Sequence, residues 1–327
     1  MQNVKSIDQE YVCGTYGRYP IEIVSGKGSL VYDESGKEYI DMGSGIGVTA
    51  FGLCDEEWVK ATTLQLSTLQ HMSNLYYTEP CAKLAKLLCE KTGFKKVFFS
   101  NSGAEANECA IKVARKYAAE RKGNDFYTII TLRNSFHGRT ITTLSATGQD
   151  HFHKLFNPLT DGFVHTDSGN VEQLKELIAT HKVAGIMLEC VQGEGGVIPL
   201  SADYVKEVAK IAEENDIILI IDEVQTGNGR TGKLYSYMNF GISPDVITTA
   251  KGLGGGLPIG ACLMSEKVQN VLGKGDHGST YGGNPVCCSG AISIIDRIDD
   301  SLLQSVCKKS EYVFNALKNA EGVEDVS

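Results

Sequence analysis

Residues 95–121 read KKVFFSNSGAEANECAIKVARKYAAER, and this stretch decides the fold. Its first six residues, KKVFFS, are apolar enough to form a short buried strand. From residue 104 to residue 121 apolar side chains recur at helical spacing along one face, namely at Ala110, Ile111, Ala114, Tyr117 and Ala118. A glycine at position 123 then ends the pattern, as glycine often does after a helix. The stretch therefore predicts a strand followed directly by a helix.

The same alternation repeats further along the chain. Strands are predicted over residues 126–132 (FYTIITL), 184–188 (AGIML), 217–221 (IILII) and 246–249 (VITT), and a helix over residues 202–215. Strands that are apolar on both faces and alternate with helices indicate a parallel sheet covered on both sides. The predicted fold class is therefore α/β. In such sheets, ligands bind beyond the carboxyl ends of the strands.

The two ends of the chain have a different pattern. Strand-like pieces at residues 29–32 and 38–41 flank the turn sequence DESG. The last stretch carries apolar residues at helical spacing. We expect residues 1–45 to form the N-terminal part of a small domain, residues 46–298 the large domain, and residues 299–327 the start of the C-terminal part of the small domain.

Composition and charge exclude several classes of protein. The chain has 327 residues and a formal net charge of −9, which argues against a nucleic acid or an anionic membrane as partner. The ten cysteines include no CxxC pair, which predicts free thiols rather than a disulfide framework. Neither a signal peptide nor an apolar run of bilayer length is present, so we expect a soluble cytoplasmic protein. His151 and His153 have no apparent third ligand, so we interpret them as surface residues and expect no metal.

The first motif that carries chemistry is SNSGAE at residues 100–105, between the predicted strand and helix. The N–H groups at a helix N-terminus form an anion site, and Gly103 allows an anion to approach closely. An alternative is a capping box made by Ser102 and Glu105. The two interpretations are compatible.

Two further motifs also lie at strand ends. Asp222 ends an apolar strand, where a carboxylate needs a cation such as a protonated ring nitrogen, although a helix cap or a metal ligand is an alternative. Lys251 follows the strand at residues 246–249, where partial burial would make its amine a nucleophile, although an ordinary surface lysine is an alternative. An anion site, a buried carboxylate and an amine, all at strand ends and in that order along the chain, together favour pyridoxal phosphate, whose ring needs a paired pyridinium to act as an electron sink.

Two loops offer further candidate contacts. In SFHGRT, at residues 135–140, Phe136 could stack on a planar ring and Arg139 has the fork geometry that suits a carboxylate. An exposed loop with a solvated arginine is the alternative. The glycine-rich loop GSTYGGNP at residues 278–285 carries two hydroxyls, Ser279 and Thr280, that could donate to an anion.

Taken together, these motifs resemble those of the class III (subgroup II) aminotransferases of fold type I. The resemblance runs from about residue 15 to the end of the chain. It rests on TYGRYP at 15–20, FFSNSGAEANE at 98–108, SFHGRT at 135–140, QGEGGV at 192–197, DEVQTGNGRTG at 222–232, AKGLGGGLPIGA at 250–261 and GSTYGGNP at 278–285. The fold that it implies is a large domain with a mostly parallel seven-stranded sheet, plus a smaller α/β domain built from both chain ends.

The resemblance implies pyridoxal 5′-phosphate as the cofactor and assigns residues to it. Lys251 would carry the cofactor as a Schiff base and act as general base, and Asp222 would pair with the pyridine nitrogen. The other cofactor contacts would come from Ser102, Gly103, Ala104, Phe136, Val224, Gln225 and Thr280. Because Thr280 would reach the cofactor of the neighbouring subunit, a homodimer with shared active sites is part of the expectation.

The resemblance also implies the substrates. Arg139 would bind the substrate α-carboxylate, with Ser279, Glu194 and Tyr16 nearby. The expected reaction moves the δ-amino group of N2-acetyl-L-ornithine to 2-oxoglutarate and gives N-acetylglutamate 5-semialdehyde and glutamate. The open alternatives are another ω-amino donor (succinylornithine, succinyldiaminopimelate, ornithine or 4-aminobutyrate), an aminomutase acting on glutamate semialdehyde, and a cofactor-binding relative without turnover.

One departure from the family pattern concerns the end of the chain. Members of the family continue for several tens of residues and supply an arginine to the substrate pocket, and that arginine has no counterpart here. We therefore expect the C-terminal part of the small domain to be incomplete.

Overall fold

The computed structural model describes residues 4–323 and residue 326. The strands are β1 (Ile23–Lys27), β2 (Leu30–Asp33), β3 (Glu38–Ile40), β4 (Lys96–Ser100), β5 (Thr128–Leu132), β6 (Phe163–Thr166), β7 (Val183–Leu188), β8 (Val191–Gln192), β9 (Ile198–Pro199), β10 (Ile218–Asp222), β11 (Val246–Thr249) and β12 (Gly260–Met264). The helices are α1 (Val4–Tyr11), α2 (Ser44–Gly47), α3 (Glu56–Thr68), α4 (Glu79–Thr92), α5 (Gly103–Lys122), α6 (Ile141–Ala146), α7 (Asp150–His153), α8 (Val171–Thr180), α9 (Ala202–Glu214), α10 (Pro285–Ile295) and α11 (Asp300–Leu317).

Seven strands form the central sheet, in the order β4-β12-β11-β10-β7-β5-β6. Only β12 runs against its neighbours, since it pairs antiparallel with both β11 and β4. The other recorded pairs in this sheet are parallel. The predicted α/β class with a mostly parallel seven-stranded sheet is therefore confirmed.

The sheet is buried on both faces, as the continuous apolar runs predict. In β10, Leu219 and Ile221 point into a core shared with α9 and α10. Ile218 and Ile220 point into a second core formed with α5. This alternation follows from the two-residue period of a strand, and it explains why the stretch IILII contains no polar residue.

The predicted elements agree closely with the observed ones. The helix predicted over residues 104–121 is α5, which extends one residue further at each end, and the strand predicted over residues 246–249 is β11. The sequence did not predict β6, β12, α3 or α4. The first residue of β12, Gly260, has to be glycine because a Cβ there would lie 2.3 Å from the carbonyl oxygen of Ser102. The glycines needed for that close approach made the segment resemble a loop.

The N-terminal region forms a separate three-stranded antiparallel sheet, β1-β2-β3. The hairpin of β2 and β3 was predicted, whereas β1 was not. Its register with β2 is irregular between Ile23 and Ser25, which breaks the two-residue pattern. The C-terminal helix was predicted, and α11 has no buried residue. The domain boundaries at residues 45 and 298 stay a prediction.

Within residues 4–323, no helix combines the length and the apolar character needed to cross a bilayer.

Candidate active site

A cavity of about 500 Å³ lies beyond the carboxyl ends of the central strands. Its wall is built from the segments that directly follow β4, β5, β7, β10 and β11, together with residues 256–259 that precede β12. Ten of the residues predicted from sequence line it, namely Ser102, Gly103, Ala104, Phe136, Arg139, Glu194, Asp222, Val224, Gln225 and Lys251. The sheet therefore gathers residues that are far apart in the sequence.

The N-terminus of α5 forms one wall of the cavity. A Cβ at Gly103 would lie 2.6 Å from Cγ1 of Val224, so only glycine fits between the helix and the loop after β10. The Ser102 hydroxyl accepts a hydrogen bond from the Glu105 N–H and donates to the Glu105 carboxylate, which confirms Ser102 as the helix cap. The Glu105 carboxylate accepts from the Asn101 N–H, so the reciprocal bond of the expected capping box is made one residue earlier than predicted. The first N–H groups of α5 have no acceptor inside the helix, and they remain oriented to bind an anion.

Asp222 is the buried carboxylate of the cavity and is 3% exposed. Its Oδ1 atom accepts a hydrogen bond from the Val224 N–H at 3.0 Å. Its Oδ2 atom accepts one from Nδ2 of Asn107 at 2.8 Å and lies 2.8 Å from Nδ1 of His137. Three neighbours thus fix the orientation of the carboxylate, and it lines the cavity directly.

Asn107 is a site residue that the sequence reasoning missed. It is 1% exposed, and its Nδ2 atom also donates to the His137 carbonyl at 2.7 Å. Its Oδ1 atom accepts from the Thr248 hydroxyl at 2.6 Å, so it links α5 to β10, β11 and the loop after β5. The available signal was an amide on the apolar face of the predicted helix, next to Ala106 and Ala110. A buried amide needs hydrogen-bond partners, and here its partners are His137 and Asp222, which line the cavity, and Thr248 of β11.

His137 belongs to the motif SFHGRT, and its role was not predicted from the sequence. Its side chain is fully buried. Burial acts to lower the pKa of His137, but the hydrogen bond and the negative charge of Asp222 raise it more, so the pKa lies above its ordinary value. Its Nε2 atom is buried and has no hydrogen-bond partner within the described part of the chain.

Glu189, directly after β7, is a second missed residue of the cavity wall. It is 4% exposed, and its Oε2 atom accepts a hydrogen bond from the Phe136 N–H at 3.0 Å. Burial raises the pKa of Glu189 to about 7, with a further raising contribution from Asp222 and an opposing one from His137. The carboxyl group therefore ties the loop that carries Phe136 to the end of β7.

Lys251 follows β11 by two residues and is half-buried. Its φ of 45° is in the left-handed region, which is unfavourable for a residue with a side chain. The strand end before it is held by Asn228, whose Nδ2 atom donates to the Thr249 hydroxyl at 3.1 Å and to the Ala250 carbonyl at 3.2 Å. Burial lowers the pKa of Lys251 despite the nearby charges of Asp222 and Glu194. More of the amine is then neutral, and so nucleophilic, than in an exposed lysine.

Arg139 is an exposed cation on the cavity wall. Its guanidinium lies over two aromatic rings, 5.6 Å from the centroid of Phe136 and 4.4 Å from that of Phe152. Within the described part of the chain no carboxylate lies within ion-pair distance of it. The preceding Gly138 packs closely against α5, since a Cβ there would lie 2.8 Å from the Cβ of Ala104.

Glu194 and Gln225 meet at another part of the wall, where Nε2 of Gln225 donates to the Glu194 carboxylate at 3.4 Å. Three predicted contacts do not line the cavity of this chain. Tyr16 is 73% exposed, and Thr280 is also exposed. Ser279 accepts a hydrogen bond from Nδ2 of Asn101 at 3.2 Å, which brings its loop beside the N-terminus of α5.

The two histidines set aside as surface residues differ from each other. His153 lies 2.8 Å from the Thr147 carbonyl through its Nε2 atom and is half-buried, so it has a structural contact, while His151 is exposed. Among residues 4–323, no cluster of three or more His, Cys, Asp or Glu side chains is suited to a metal ion.

An anion site at a helix N-terminus, a buried carboxylate and a desolvated lysine at adjacent strand ends define a site for an aldehyde cofactor that carries a phosphate. In agreement with this geometry, residues 13–326 match the family described as aminotransferase class-III, and the chain belongs to that family. It is 48% identical over 324 residues to the acetylornithine aminotransferase of Haemophilus ducreyi, which covers 99% of this chain and 82% of the relative.

Solved structures show the same relationship. An ornithine aminotransferase from Toxoplasma gondii superposes with a TM-score of 0.91 at 30% identity, covering 99% of this chain and 79% of that chain. An N-acetylornithine aminotransferase from Stenotrophomonas maltophilia superposes with a TM-score of 0.83 at 34% identity, covering 98% of this chain and 80% of that chain.

The cofactor of this family is pyridoxal 5′-phosphate, and the residues of the cavity fit it. Gly103 leaves the space beside the N-terminus of α5 that a Cβ would fill, and the buried Asp222 carboxylate would pair with a ring cation. Lys251 supplies an amine to the same cavity. When bound, this cofactor supplies an aldehyde that condenses with amines and a ring that withdraws electrons from the attached carbon.

Proposed function

We propose that this chain transfers the δ-amino group of N2-acetyl-L-ornithine to 2-oxoglutarate, giving N-acetylglutamate 5-semialdehyde and glutamate, a step of arginine biosynthesis. The observation that carries the proposal is that one cavity contains both the amine of Lys251 and the guanidinium of Arg139. The guanidinium has no carboxylate partner in the described chain. Both substrates carry a carboxylate, and the relatives named as acetylornithine aminotransferases cover nearly the whole chain.

We assign the cofactor contacts to the residues that the sequence motifs singled out. The N–H groups of Gly103 and Ala104, with the Ser102 hydroxyl, would hold the phosphate, since a helix N-terminus favours an anion. Phe136 would stack on the ring. Val224 and Gln225, which line the cavity beside Asp222, would bound its other side.

Two residues would carry the proton chemistry. The Asp222 carboxylate would keep a proton on the ring nitrogen of the cofactor, and its three hydrogen-bond partners hold it in place for this task. The lowered pKa of Lys251, caused by burial, leaves its amine able to accept a proton from the δ-carbon of the donor, as a general base does. Lys251 would thus act as covalent anchor first and as general base afterwards.

Substrate binding is assigned to the opposite charges of the wall. Arg139 would hold the α-carboxylate of the donor through two parallel N–H bonds. Glu194 would lie where the two substrates are told apart. Ser279 and Tyr16 do not line the cavity of the single chain, so their contact with the substrate stays a prediction.

A panel of donors tests the assignment. Initial rates of glutamate formation from 2-oxoglutarate would be measured with N2-acetyl-L-ornithine, N2-succinyl-L-ornithine, ornithine, N-succinyl-L,L-diaminopimelate and 4-aminobutyrate. The proposal requires a kcat/KM for the acetylated donor at least about tenfold above the others, a difference of about 1.4 kcal/mol in transition-state binding. Turnover of glutamate semialdehyde without 2-oxoglutarate would instead identify an aminomutase, and visible absorbance that no donor changes would identify a relative without turnover.

We further propose that the active form is a homodimer with shared sites. Large apolar side chains are exposed around the loop of Thr280, including Leu75 at 88%, Tyr77 at 106% and Tyr281 at 62%. Asn74 ties this segment to the loop through hydrogen bonds from its Nδ2 atom to the carbonyls of Ser279 and Gly282. A second copy of the chain would cover this surface, since a patch of this kind is unusual on a monomer.

Mixing two inactive variants tests the shared site. Lys251→Ala removes the amine, and Thr280→Ala removes the hydroxyl proposed to reach the neighbouring cofactor. In a mixed dimer, one site would combine an intact Lys251 with an intact Thr280, so equal mixing after dissociation should restore about one quarter of the wild-type activity. A mixture no more active than its components would mean that Thr280 acts within its own subunit. We also propose a cytoplasmic location, which the ten unpaired cysteines support.

A further inference from the structure

The surroundings of Arg139 contain an aromatic residue outside the cavity wall. Phe152 lies in α7, and its ring centroid is 4.4 Å from Cζ of Arg139, closer than the 5.6 Å to the ring of Phe136. The two phenyl rings meet edge to face, with centroids 5.8 Å apart and planes at 71°. The guanidinium is therefore held at the junction of two rings that also contact each other.

This arrangement leaves the donors of Arg139 free. A guanidinium attracted to an aromatic face uses its own face, while its five N–H groups lie at the edge of the group and remain available. The side chain is exposed and has no acidic partner in the described chain, so without the rings it would sample many rotamers. Within the described chain, contact with the two rings is therefore the interaction that can limit its orientation before a ligand arrives.

Phe152 also contacts the ring of its neighbour in the sequence. The ring of His151 packs on it with centroids 3.9 Å apart, and Phe152 is half-buried. The chain of contacts runs from His151 through Phe152 to Arg139, and from Phe152 to the ring of Phe136. Phe152 does not belong to the described residues that line the cavity, so it would act through Arg139.

We propose that Phe152 is a positioning residue for substrate carboxylates, which orients the guanidinium of Arg139 by stacking and thereby sets the affinity for the carboxylate end of donor and acceptor. This rests on the proposed role of Arg139 in carboxylate binding. It adds that the affinity depends on an aromatic face at position 152.

The test uses two probes that separate the two ends of the donor. N-acetyl-L-norvaline has the carboxylate but no δ-amine, so it binds without reacting. N-acetyl-1,4-diaminobutane has the amine but no carboxylate, and its single-turnover rate reports on Lys251 and the cofactor without using Arg139. Both would be measured on the dimeric, cofactor-loaded enzyme, the first by calorimetry and the second by stopped-flow absorbance.

In Phe152→Leu the apolar bulk is largely kept and the aromatic face is lost. We expect the Kd of N-acetyl-L-norvaline to rise by about 3- to 10-fold, from the strength of an exposed to partly desolvated cation–π pair. The single-turnover rate constant with N-acetyl-1,4-diaminobutane should stay unchanged. Phe152→Tyr should restore the wild-type Kd. Phe156→Leu is the matched control, since Phe156 is a more exposed phenylalanine of the same segment, and its Kd should equal that of the wild type.

Two results would overturn the inference. One is an unchanged Kd in Phe152→Leu, and the other is an equal loss with both probes, which would mean that Phe152 supports the site as a whole. If Phe152→Leu does not fold, Phe152→Met answers the same question with a flexible side chain of similar volume. The variant Arg139→Lys separates a failure of the inference about Phe152 from a failure of the proposed function. If Arg139→Lys leaves the norvaline Kd unchanged, the carboxylate role of Arg139 itself is wrong, whereas a rise there without one in Phe152→Leu refutes only the role of Phe152.

Discussion

Replacing Asn107 with alanine tests how the buried part of the site is held together. The substitution removes two donated hydrogen bonds, to the His137 carbonyl and to the Asp222 carboxylate, and one accepted from the Thr248 hydroxyl. Each neutral bond contributes about 1 kcal/mol, and the bond to the charged carboxylate about 1.5–3 kcal/mol. Because the partners are almost fully buried, each loses a hydrogen bond within the protein, and the free energy of unfolding should fall by about 3–5 kcal/mol. That is a large share of the 5–15 kcal/mol typical of a folded domain.

The measurement is urea unfolding followed by far-ultraviolet circular dichroism, with the cofactor concentration held constant because ligand binding shifts apparent stability. Asn315→Ala is the matched control, since Asn315 is also a helical asparagine that accepts a side-chain hydrogen bond, from Lys318 at 2.8 Å, but is exposed. Its effect should stay within about 0.5 kcal/mol. Thr248→Val should lose about 1 kcal/mol and should show coupling with Asn107→Ala in a double-mutant cycle. A loss below about 1 kcal/mol in Asn107→Ala would refute the assignment, because the three bonds could not then have the values given to buried ones.

Three further predictions concern the cavity wall. Gly103→Ala should destabilise the protein by about 1–3 kcal/mol, because the added methyl group overpacks against Val224, and should weaken cofactor binding. Thermal unfolding measures the first effect and equilibrium dialysis the second. The double variant with Val224→Ala should recover stability, and no recovery would count against the steric explanation. Burial raises the pKa of Glu189 to about 7 from 4.5, so the folded state keeps the carboxyl proton to a higher pH than the unfolded state does. The contribution of Glu189 to the free energy of unfolding is therefore fully present below pH 4.5 and is lost as the pH rises through about 7. Glu189→Gln should therefore gain stability relative to the wild type by about 2–3 kcal/mol between pH 4.5 and pH 8 in urea unfolding, and parallel pH profiles would contradict this. Lys251→Gly should abolish turnover. The melting temperature of the cofactor-free protein should not fall, because glycine accepts the φ of 45° without strain. A clear drop in that melting temperature would show that Lys251 stabilises the fold.

The parts of this protein that sequence predicted well are those where a single physical requirement determines the pattern. The continuous run of β10 can only be buried on both faces, and Asp222 and Lys251 stand out because a charged group beside such a buried strand is costly unless it has a partner. The strand β12 was missed because the approach of Gly260 to the Ser102 carbonyl requires glycine, and glycine-rich sequence favours a loop. That contact depends on a neighbour more than 150 residues away in the chain, which local patterns do not encode.

The missed site residues share a different cause. Asn107 and Glu189 are polar side chains whose roles are set by partners that only the folded sheet brings near. Asn107 lies within the motif FFSNSGAEANE, but the motif alone does not show what its amide contacts. Phe152 was overlooked because the histidines on both sides suggested a solvated stretch. Its contact with Arg139 joins α7 to the loop between β5 and α6. The roles and the burial of these residues depend on tertiary contacts and not on local propensity.

The hydrogen bonds to Asp222 have a consequence for the way this protein matures. The two side chains that contact its Oδ2 atom are separated from it by 115 and 85 residues, and both emerge from the ribosome before it. Lys251 emerges later still, so no partial chain that stops short of β11 contains a working cavity. Closing such distant contacts is slow, and it requires the central strands to be in register. Incorporation of the cofactor therefore reports that the strand ends around the cavity have assembled, and abundant cofactor during synthesis would stabilise the chains that have reached this state.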